Sequence, residues 1–222
     1  MSAFNWVEDL SDEIQKAFLE QARERVLPDG AIVYRQGDQV REVFQIVSGE
    51  IRQCVFTEDG QEVLFYIYKP GDLVCDSAVD ENEPYAATIT TRGETRLRVW
   101  STKELRSFRA RFPEVESALS VQMSRRLRGA VRLIGELLTQ SVASRIASRL
   151  LWLHELERGM ALSISQADLG LMVGATRQSV NLVLKDMRKH KVIEANYGQI
   201  LVTNAAGLSS YAAKSHRLGR SA

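Results

Sequence analysis

Residues 163 to 189 read S-I-S-Q-A-D-L-G-L-M-V-G-A-T-R-Q-S-V-N-L-V-L-K-D-M-R-K, a pattern that predicts two short helices joined by a tight turn. Ser165 precedes Asp168 by three residues, which is the spacing of a capping box and predicts the start of the first helix. Gly170 is small enough for one helix to cross another closely. Gly174 can adopt the left-handed conformation that ends a helix. The segment therefore predicts a helix-turn-helix.

The second predicted helix has an apolar face and a polar face. Thr176 can cap its N-terminus. The apolar residues recur at helical spacing and are Val180, Val183, Leu184 and Met187. Arg177, Gln178 and Asn181 remain outside, near the end of the helix with which a helix-turn-helix reads base edges. A helical hairpin that only packs a core is the alternative, but cap, turn, apolar register and polar face together favour a DNA reader.

A predicted strand pair follows the two helices. The run K-V-I-E-A-N-Y-G-Q-I-L-V-T, residues 191 to 203, reads as two strands joined around Asn196-Tyr197-Gly198, a hairpin that we call the wing. We expect phosphate contacts and DNA positioning from Ser165, Thr176, Ser179, Lys189 and Lys191. The residues from about 214 onward are small and basic, and we expect them to fray.

Composition and charge agree with a protein of two parts. The chain has 222 residues, 45% hydrophobic and 26% charged, which is ordinary for a globular protein. Residues 138 to 222 carry 11 Lys or Arg against 5 Asp or Glu, a net charge of +6, whereas residues 1 to 137 carry 18 against 23, or −5. This asymmetry favours a nucleic-acid-binding half, although a solvated charged face would also explain it. With no long apolar run and no basic leader, we expect a cytoplasmic location.

The cysteines and histidines argue against a metal centre. Cys54 and Cys75 are 21 residues apart and lack a C-x-x-C spacing. All three histidines lie beyond residue 137, so the N-terminal half cannot assemble a Cys/His zinc site or a His-ligated haem from one chain. We expect no metal and no certain cofactor, and we interpret both cysteines as structural thiols.

The N-terminal half is predicted to be rich in strands. Residues 7 to 24 have the pattern of a short amphipathic helix. Short β-rich runs then follow as far as residue 99, namely A-I-V-Y, V-F-Q-I-V, I-R-Q-C-V-F and E-V-L-F-Y-I-Y. Asp59-Gly60 between two of them is a hairpin signal. Many short strands at roughly ten-residue spacing indicate a β-sandwich or barrel.

A long helix is predicted to connect the two halves. It opens at Pro113, and small or apolar residues recur along it in steps of three and four, at Ser120, Met123, Leu127, Ala130, Ile134, Leu137 and Ser141. This is the seam of a coiled coil. A helix lying on its own domain is the alternative. We favour a homodimer, with Met123, Leu127, Ala130, Ile134 and Leu137 at its seam, since a DNA reader benefits from two-fold symmetry.

An ordered set of motifs extends the interpretation to the whole chain. It comprises G-D at 37 to 38, V-S-G-E-I at 47 to 51, P-G-D-L-V at 70 to 74, Q-M-S-R-R-L at 122 to 127, and the helix-turn-helix. From about residue 10 to 205, the chain resembles the cyclic-AMP receptor protein/FNR (CRP/FNR) family of bacterial transcription regulators. The resemblance implies an α+β fold with three parts and a hinge at about 138 to 142. The parts are a cyclic-nucleotide-binding-type sensory β-roll at 1–112, a dimerisation helix at 113–138 and a winged helix-turn-helix at 139–222.

The resemblance also identifies where an effector would bind. In relatives that bind cyclic AMP, a G-E pair holds the ribose and R-S-A binds the cyclic phosphate. The matching positions here are Cys75-Asp76 and Pro84-Tyr85-Ala86, and the adenine-binding Thr-Ser pair is replaced by Ala130-Val131. Asp76 could still accept a ribose hydroxyl, but no arginine remains to pair with the phosphate. We therefore do not expect cyclic AMP as the effector.

The resemblance leaves two interpretations of this pocket open. Its candidate lining residues are Tyr66, Cys75, Asp76, Tyr85, Ala86, Met123, Leu127, Ala130 and Val131. They suggest an apolar or aromatic effector of unknown identity. Alternatively, these side chains fill the roll and no ligand binds.

The function predicted from the sequence is a homodimeric transcription regulator that binds a palindromic DNA operator. Residues 155 to 162 lie where activators of the family contact RNA polymerase, which favours activation. Leu182 stands where relatives often carry a basic residue, which suggests a contact to a thymine methyl group, a changed operator site or an inert position. The alternatives are an effector-independent regulator and a ligand-binding module that acts on a protein partner. An enzyme is disfavoured, because the sequence has no P-loop, nucleophile–base pair or metal triad.

Overall fold

The computed structural model describes residues 4–75, 84–196 and 198–213. Asp76 of the predicted pocket and Tyr197 of the predicted wing therefore lie outside the described residues. Internal contacts divide the chain into two compact units, residues 1–128 and 129–222. This division falls within the long helix, and the domain bounds at 112/113 and 138/139 stay predictions.

Two helices precede the sheet of the first unit, and two follow it. A 3₁₀ turn spans Trp6–Asp9 and α1 spans Asp12–Leu19, while α2 spans Thr102–Arg111 and α3 spans Glu114–Thr139. The helix predicted at 7 to 24 is thus too long, because the chain enters a paired strand at residue 23. α2 was not predicted from the amino-acid sequence. No helix among the described residues has both the length and the apolar character that crossing a bilayer requires.

Six antiparallel strands form the sheet of the first unit. They are β1 (Arg23–Leu27), β2 (Ile32–Tyr34), β3 (Glu42–Phe56), β4 (Glu62–Tyr68), β5 (Leu73–Val74) and β6 (Thr88–Ser101). Their order is β1-β6-β3-β4, with β2 paired to β6 and β5 to β3. The β-rich half of the predicted α+β fold is confirmed.

The structure corrects one predicted strand break and confirms one predicted hairpin. The runs V-F-Q-I-V and I-R-Q-C-V-F are not separate strands, because both lie in β3, and Ser48-Gly49-Glu50 between them lies where the register of β3 against β6 shifts. Gly49 has φ +84°, and a Cβ there would lie 2.5 Å from the Glu94 carbonyl oxygen. The glycine therefore permits a β-bulge instead of ending the strand. Asp59-Gly60 forms the predicted hairpin, in which the Thr57 amide donates to the Gln61 carbonyl at 3.0 Å.

The helices before and after the sheet share an aromatic core. Phe18 of α1 stacks on Trp100 of β6 with ring centroids 4.2 Å apart. The Trp100 indole N–H donates to the Phe18 carbonyl oxygen at 2.9 Å, which satisfies a buried donor. Phe108 of α2 packs against the same Phe18 ring at 5.0 Å. This core attaches the short helices to one end of the sheet.

The second unit combines a three-stranded sheet with helices. Its elements are α4 (Val142–Leu156), β7 (Leu162–Ser163), α5 (Gln166–Val173), α6 (Arg177–Lys189), β8 (Ile193–Asn196), β9 (Gln199–Val202) and α7 (Ala205–Ala212). The strand order is β7-β9-β8. The break between α3 and α4 falls inside the predicted hinge segment, 138 to 142. α7 was not predicted, although Asn204 caps it by accepting from the Gly207 amide at 2.8 Å.

Candidate nucleic-acid interface

The first helix of the predicted pair begins where its capping spacing indicated. Ser165 is the N-cap of α5, and its Oγ accepts a hydrogen bond of 3.0 Å from the Asp168 amide. The Ser165 hydroxyl also lies 2.8 Å from the Asp168 carboxylate and donates to it. Since two hydrogen bonds orient this hydroxyl, the start of α5 is well defined.

The turn between α5 and α6 depends on two glycines. Gly174 ends α5 in the left-handed conformation, with φ +61°. The Ala175 amide then donates to the Gly170 carbonyl at 3.0 Å, which closes the turn. A Cβ at Gly170 would lie only 2.6 Å from the Ala175 carbonyl oxygen. The predicted roles of both glycines, a close approach and a helix end, are confirmed.

The second helix begins at a cap that involves two hydroxyl groups. Thr176 is the N-cap of α6 and accepts a hydrogen bond of 3.2 Å from the Ser179 amide. The two hydroxyl oxygens lie 3.0 Å apart, so one donates to the other. Both groups lie at the start of the helix, where they could also reach a phosphate. That role stays a prediction.

The two faces of α6 are those expected from the periodicity. Val180, Leu184 and Met187 are buried, whereas Val183 is only half-buried. Three of the four predicted core positions are therefore confirmed. Arg177 and Gln178 are exposed in the first turn of the helix, and Leu182 is 68% exposed.

Asn181 differs from the other two predicted base-reading residues. It is half-buried, and its Nδ2 donates a hydrogen bond of 3.0 Å to Oε1 of Gln166. Gln166 is the first residue of α5, and no sequence pattern pointed to it. The contact connects the two helices, so Asn181 has a structural role in addition to its predicted role in reading bases.

The wing forms as predicted. β8 and β9 are antiparallel, with Asn196 opposite Gln199, and β7 extends the sheet along β9. The predicted phosphate-binding residues Lys189 and Lys191 are exposed where α6 leads into the wing. Lys191 has φ +56°, and its carbonyl accepts from the Thr203 hydroxyl at 3.0 Å.

A polar cleft lies between α6 and the wing. Its volume is about 260 Å³, and its polar lining comes from Gln166, Asn181, Lys185, Arg188 and Asn196. Lys185 and Arg188 were not predicted as site residues. A signal was present, because both lie at helical spacing from Arg177 along one face of α6.

A hydrogen-bonded cluster attaches α7 to the end of α6. The Tyr211 hydroxyl donates to the Asp186 carboxylate at 2.7 Å and lies 2.9 Å from Nδ1 of His190. Partial burial and the hydrogen bond to Asp186 raise the pKa of Tyr211 to about 12. The last described helix therefore helps to position the recognition helix.

Tyr66 of the predicted effector pocket belongs to an aromatic cluster in the first unit. The Phe4 ring packs edge-on against Tyr66 at 4.6 Å and against Tyr68 at 5.4 Å. The Arg126 guanidinium lies over the Phe4 ring, 5.3 Å from its centroid. The Leu73 amide donates to the Phe4 carbonyl at 2.8 Å, which holds the segment in place. No pattern in the sequence predicted that Phe4 occupies this position.

Cys75 and Tyr85 meet through a residue that was not predicted, Tyr34. The Tyr34 and Tyr85 rings stack with centroids 3.7 Å apart, and the Cys75 thiol donates to the Tyr34 hydroxyl oxygen at 2.6 Å. Burial, together with the nearby Cys75, raises the pKa of both tyrosine hydroxyls above their usual value. The Tyr85 hydroxyl also donates to the Glu42 carbonyl at 3.1 Å.

The other candidate pocket residues are less enclosed. Ala86 is exposed. On α3, Met123 is half-buried, whereas Leu127, Ala130 and Val131 are exposed. Their assignment to a pocket stays a prediction. Cys54, outside this region, is buried and donates to the Glu62 carboxylate at 2.9 Å.

The predicted dimer seam carries apolar side chains that face solvent in the single chain. Leu127 is 66% and Ile134 56% exposed, and Leu137 is exposed as well. Val121 and Leu138 add to the exposed apolar residues of α3. Several exposed apolar side chains along one helix are unusual for a helix that remains uncovered.

Comparison with known proteins identifies both halves. A family model described as "Cyclic nucleotide-binding domain" matches residues 24–112, and one described as "Crp-like helix-turn-helix domain" matches residues 144–211. The CRP-like cAMP-activated global transcriptional regulator of Mycobacterium tuberculosis (strain ATCC 25618 / H37Rv) is 28% identical over 189 residues, which are 82% of this chain and 84% of the relative. The cAMP-activated global transcriptional regulator CRP of Pasteurella multocida is 26% identical over 192 residues, 83% and 92% of the two chains.

Solved structures share the fold. FixK2 from Bradyrhizobium japonicum superposes with a TM-score of 0.77 at 19% identity, over 86% of this chain and 96% of that one. A mutant of CooA from Carboxydothermus hydrogenoformans also gives 0.77, at 22% identity, over 94% and 95% of the chains. At these identities the similarity supports the architecture alone.

Proposed function

The chain belongs to the CRP/FNR family of DNA-binding transcription regulators, and we propose that it acts as a homodimer that reads a palindromic operator. The observation that carries this proposal is the exposed pair Arg177 and Gln178, presented in the first turn of a capped helix. A helix held in this way by its cap and a tight turn can enter the major groove with little rearrangement.

In the proposed complex, the first turn of α6 reads base edges. The Arg177 guanidinium donates two hydrogen bonds to O6 and N7 of a guanine. Gln178 contacts an adjacent base, and Asn181 reaches a base with the part of its amide that Gln166 does not engage. Thr176 and Ser179 hold the phosphates beside them, with Ser165, Lys189 and Lys191 at the flanks.

Dimerisation is supported by the exposed apolar side chains of α3. Leu127, Ala130, Ile134 and Leu137 recur in steps of three and four and are exposed in the single chain. A second copy of the same helix would cover them in a coiled-coil seam. The two recognition helices would then meet half-sites about one helical turn apart, roughly 34 Å.

Cyclic AMP does not fit the effector site, although the curated relatives above are named as cAMP-activated. At the positions that the family resemblance assigns to binding of the cyclic phosphate, this chain has Pro84-Tyr85-Ala86. Tyr85 is buried, stacks on Tyr34 and directs its hydroxyl to the backbone of β3. It offers no positive charge, so a cyclic phosphate would find no counterion at this position. An effector of different chemistry therefore controls the regulator.

Effector-independent regulation is the second candidate. The observation that favours it is the Phe4 ring, which contacts Tyr66 and Tyr68 and lies beneath the Arg126 guanidinium. An aromatic side chain of the protein itself thus packs against Tyr66, one of the predicted pocket residues. A ligand-binding module that acts on a protein partner would not need the exposed Arg177 and Gln178.

Activation is the direction of control that we propose. The segment from 155 to 162, which includes the exposed residues Arg158 and Met160, corresponds to the polymerase-contacting region of activators in the family. We place the regulator in the cytoplasm, where both the DNA and RNA polymerase would be accessible.

Three measurements on freshly purified full-length protein test these proposals together. Selection from a random-sequence DNA library should yield a palindrome, and native mass spectrometry should give the mass of a dimer with or without a retained effector. Cyclic AMP should leave the affinity for the selected site unchanged in fluorescence anisotropy. A tenfold or greater gain in affinity with cyclic AMP would show that the effector assignment is wrong, and a monomer that binds a non-repeated site would refute the dimer.

A further inference from the structure

We propose that Arg145 is a positioning residue that fixes the orientation of the recognition helix α6 relative to the dimer seam. Its guanidinium joins two separate parts of the second unit. Nη1 donates a hydrogen bond of 3.4 Å to the Leu137 carbonyl of α3, and Nη2 donates one of 3.4 Å to the Gly174 carbonyl. The inference rests on the proposed function, because orientation relative to a seam matters only in a dimer that reads two half-sites.

The first partner of Arg145 lies in the last turn of the helix that carries the proposed seam. α3 ends at Thr139, so the Leu137 carbonyl is one of the last four, which an α-helix leaves without an intrahelical partner. The Leu137 side chain is 43% exposed and belongs to the predicted seam. Arg145 therefore holds the backbone of a residue that would contact the second subunit.

The second partner lies in the turn that leads into the recognition helix. Gly174 is the C-cap of α5, and Thr176, two residues later, is the N-cap of α6. The proposed base-reading residue Arg177 follows directly. The hydrogen bond to the Gly174 carbonyl thus acts on the backbone three residues before Arg177, where a small change in the turn would reorient the whole helix.

The charge and shape of the Arg145 side chain suit both partners. The carbonyl end of a helix carries a partial negative charge, and Arg145 lies at two such ends, those of α3 and α5. Among the described residues, no carboxylate forms an ion pair with Arg145. The guanidinium is planar and presents its donors in a rigid fork, so one residue can hold two carbonyl groups in a single geometry.

α4 holds Arg145 in place for this role. The next two residues, Ile146 and Ala147, are fully buried, and α4 contacts both α5 and α6. The Nε atom of Arg145 is buried as well and has no hydrogen-bond partner among the described residues. A buried donor without a partner is unfavourable. The side chain thus leaves one donor unpaired in the position where it makes the two hydrogen bonds that join α3 to the turn.

The hydrogen bond to Leu137 also crosses the break between α3 and α4. Two residues, Gln140 and Ser141, separate these helices. The Ser148 hydroxyl donates to Oε1 of Gln140 at 3.2 Å, and Ser141 caps α4. Together with Arg145, these contacts resist bending at the break, so that a displacement at the end of α3 reaches the turn before α6.

The test measures how strongly the full-length protein discriminates between half-site spacings. Fluorescence anisotropy compares the selected palindrome with two versions that are one base pair longer or shorter at the centre. One base pair displaces a half-site by about 3.4 Å and rotates it by about 35°. We expect the parent to prefer the selected spacing. Arg145→Met should reduce that preference by about fivefold or more, because the recognition helix is then free to reorient relative to the seam.

Two further variants define the role of the guanidinium. Arg145→Lys keeps the positive charge but not the fork of donors, so we expect it to reduce the preference as well. This variant carries the test if Arg145→Met does not fold. Arg132→Met removes an exposed arginine of α3 that lies outside the predicted seam and pocket, and it should keep the parent's preference. Circular dichroism melts and sedimentation velocity verify that each variant is folded and dimeric.

Each other outcome overturns a defined part of the inference. A parent that binds no duplex, or binds only as a monomer, overturns the proposed function and this inference with it. A dimeric parent without a spacing preference, or one whose preference both Arg145 variants share, overturns the role of Arg145 alone. This holds even if the variants bind every DNA more weakly, because a uniform loss reflects stability or a phosphate contact. A Lys variant that alone keeps the preference shows that charge suffices and overturns the two-donor bridge.

Discussion

The side-chain amide of Asn181 donates a hydrogen bond of 3.0 Å to Oε1 of Gln166. The contact joins the recognition helix to the first residue of the preceding helix, across 15 positions of sequence. Asn181 thereby links the spacing of α5 and α6 to the surface that would meet DNA. Asn181 can therefore affect DNA affinity by maintaining the distance between α5 and α6 as well as by contacting a base.

A double-mutant cycle on this pair tests the link. Gln166→Ala and Asn181→Ala should each lower the free energy of unfolding by about 1 kcal/mol, because each removes one partner of a half-buried hydrogen bond. The double variant should lose less than the sum of the two, by about 0.5 to 1.5 kcal/mol. Urea denaturation measures all three. Strictly additive losses would mean that the two side chains do not interact in solution.

Arg177 should determine discrimination between DNA sequences. Arg177→Ala removes a bidentate contact, so the preference for the selected operator over a scrambled palindrome should fall by about 1–3 kcal/mol. Lys189→Ala provides the comparison, since losing a phosphate contact should weaken both DNAs alike. Competition anisotropy reports the two affinities. If the Arg177 variant retains the parent's preference, the base-reading assignment is wrong.

Gly170 should tolerate no side chain. Gly170→Ala places a Cβ about 2.6 Å from the Ala175 carbonyl oxygen, and we expect a loss of about 1–3 kcal/mol in unfolding free energy. Gly135→Ala in α3 is the matched control, because a Cβ there meets nothing within 4 Å. That control should be neutral or stabilise the helix by about 0.5–1 kcal/mol. Equal effects in thermal melts would contradict the close approach in the turn.

Ile134 should be required for dimerisation. It is 56% exposed in the single chain, and Ile134→Glu would place a charge in the proposed apolar seam from each subunit. We expect sedimentation velocity to show a shift from dimer to monomer and a weaker affinity for the operator. Phe56→Glu changes an apolar residue of the sheet that is also exposed (46%), and this variant should remain dimeric. A dimeric Ile134 variant would require a different interface.

The contact between Tyr211 and Asp186 should be lost at high pH. The pKa of Tyr211 is raised from its ordinary value of 10.0 to about 12, because the neutral hydroxyl is partly buried and donates to the carboxylate. Because folding raises this pKa, the hydrogen bond from Tyr211 to Asp186 stabilises the folded state fully below pH 10.0. This stabilisation of the folded state is lost as the pH rises through about 12. Tyr211→Phe should therefore melt at a lower temperature than the parent at pH 8, with the difference closing near pH 12. A difference independent of pH would indicate packing alone.

The helix-turn-helix was predictable because its determinants are local. Ser165, Gly174 and Thr176 specify caps and a turn through bonds that span a few residues. The apolar spacing of α6 then defined which face is buried. The exposed positions of Arg177 and Gln178 follow from the same periodicity.

The arrangement of the sheet was predictable only in part. The alternating pattern identified strand residues, but it divided β3 at Gly49, because a glycine that ends a strand and one that permits a bulge look alike in sequence. The difference arises from Thr95 and Glu94 of β6, which approach Gly49 only after long-range pairing. α2 and α7 were missed although each has a local signal, because Ser101 and Glu104 form a capping box at the start of α2 and Asn204 caps α7.

The sequence by itself determined the caps and the turn of the DNA reader and the exposed positions of Arg177 and Gln178, because bonds between near neighbours and helical periodicity specify them. Only the tertiary structure decided which side chains meet across elements. In the folded chain Tyr34 stacks on Tyr85, and Phe4 packs against Tyr66. Asn181 forms a hydrogen bond with Gln166. Lys185, Arg188 and Asn196 line one cleft. Such contacts depend on strand register and helix crossing, which arise from packing of the whole unit and not from any local pattern.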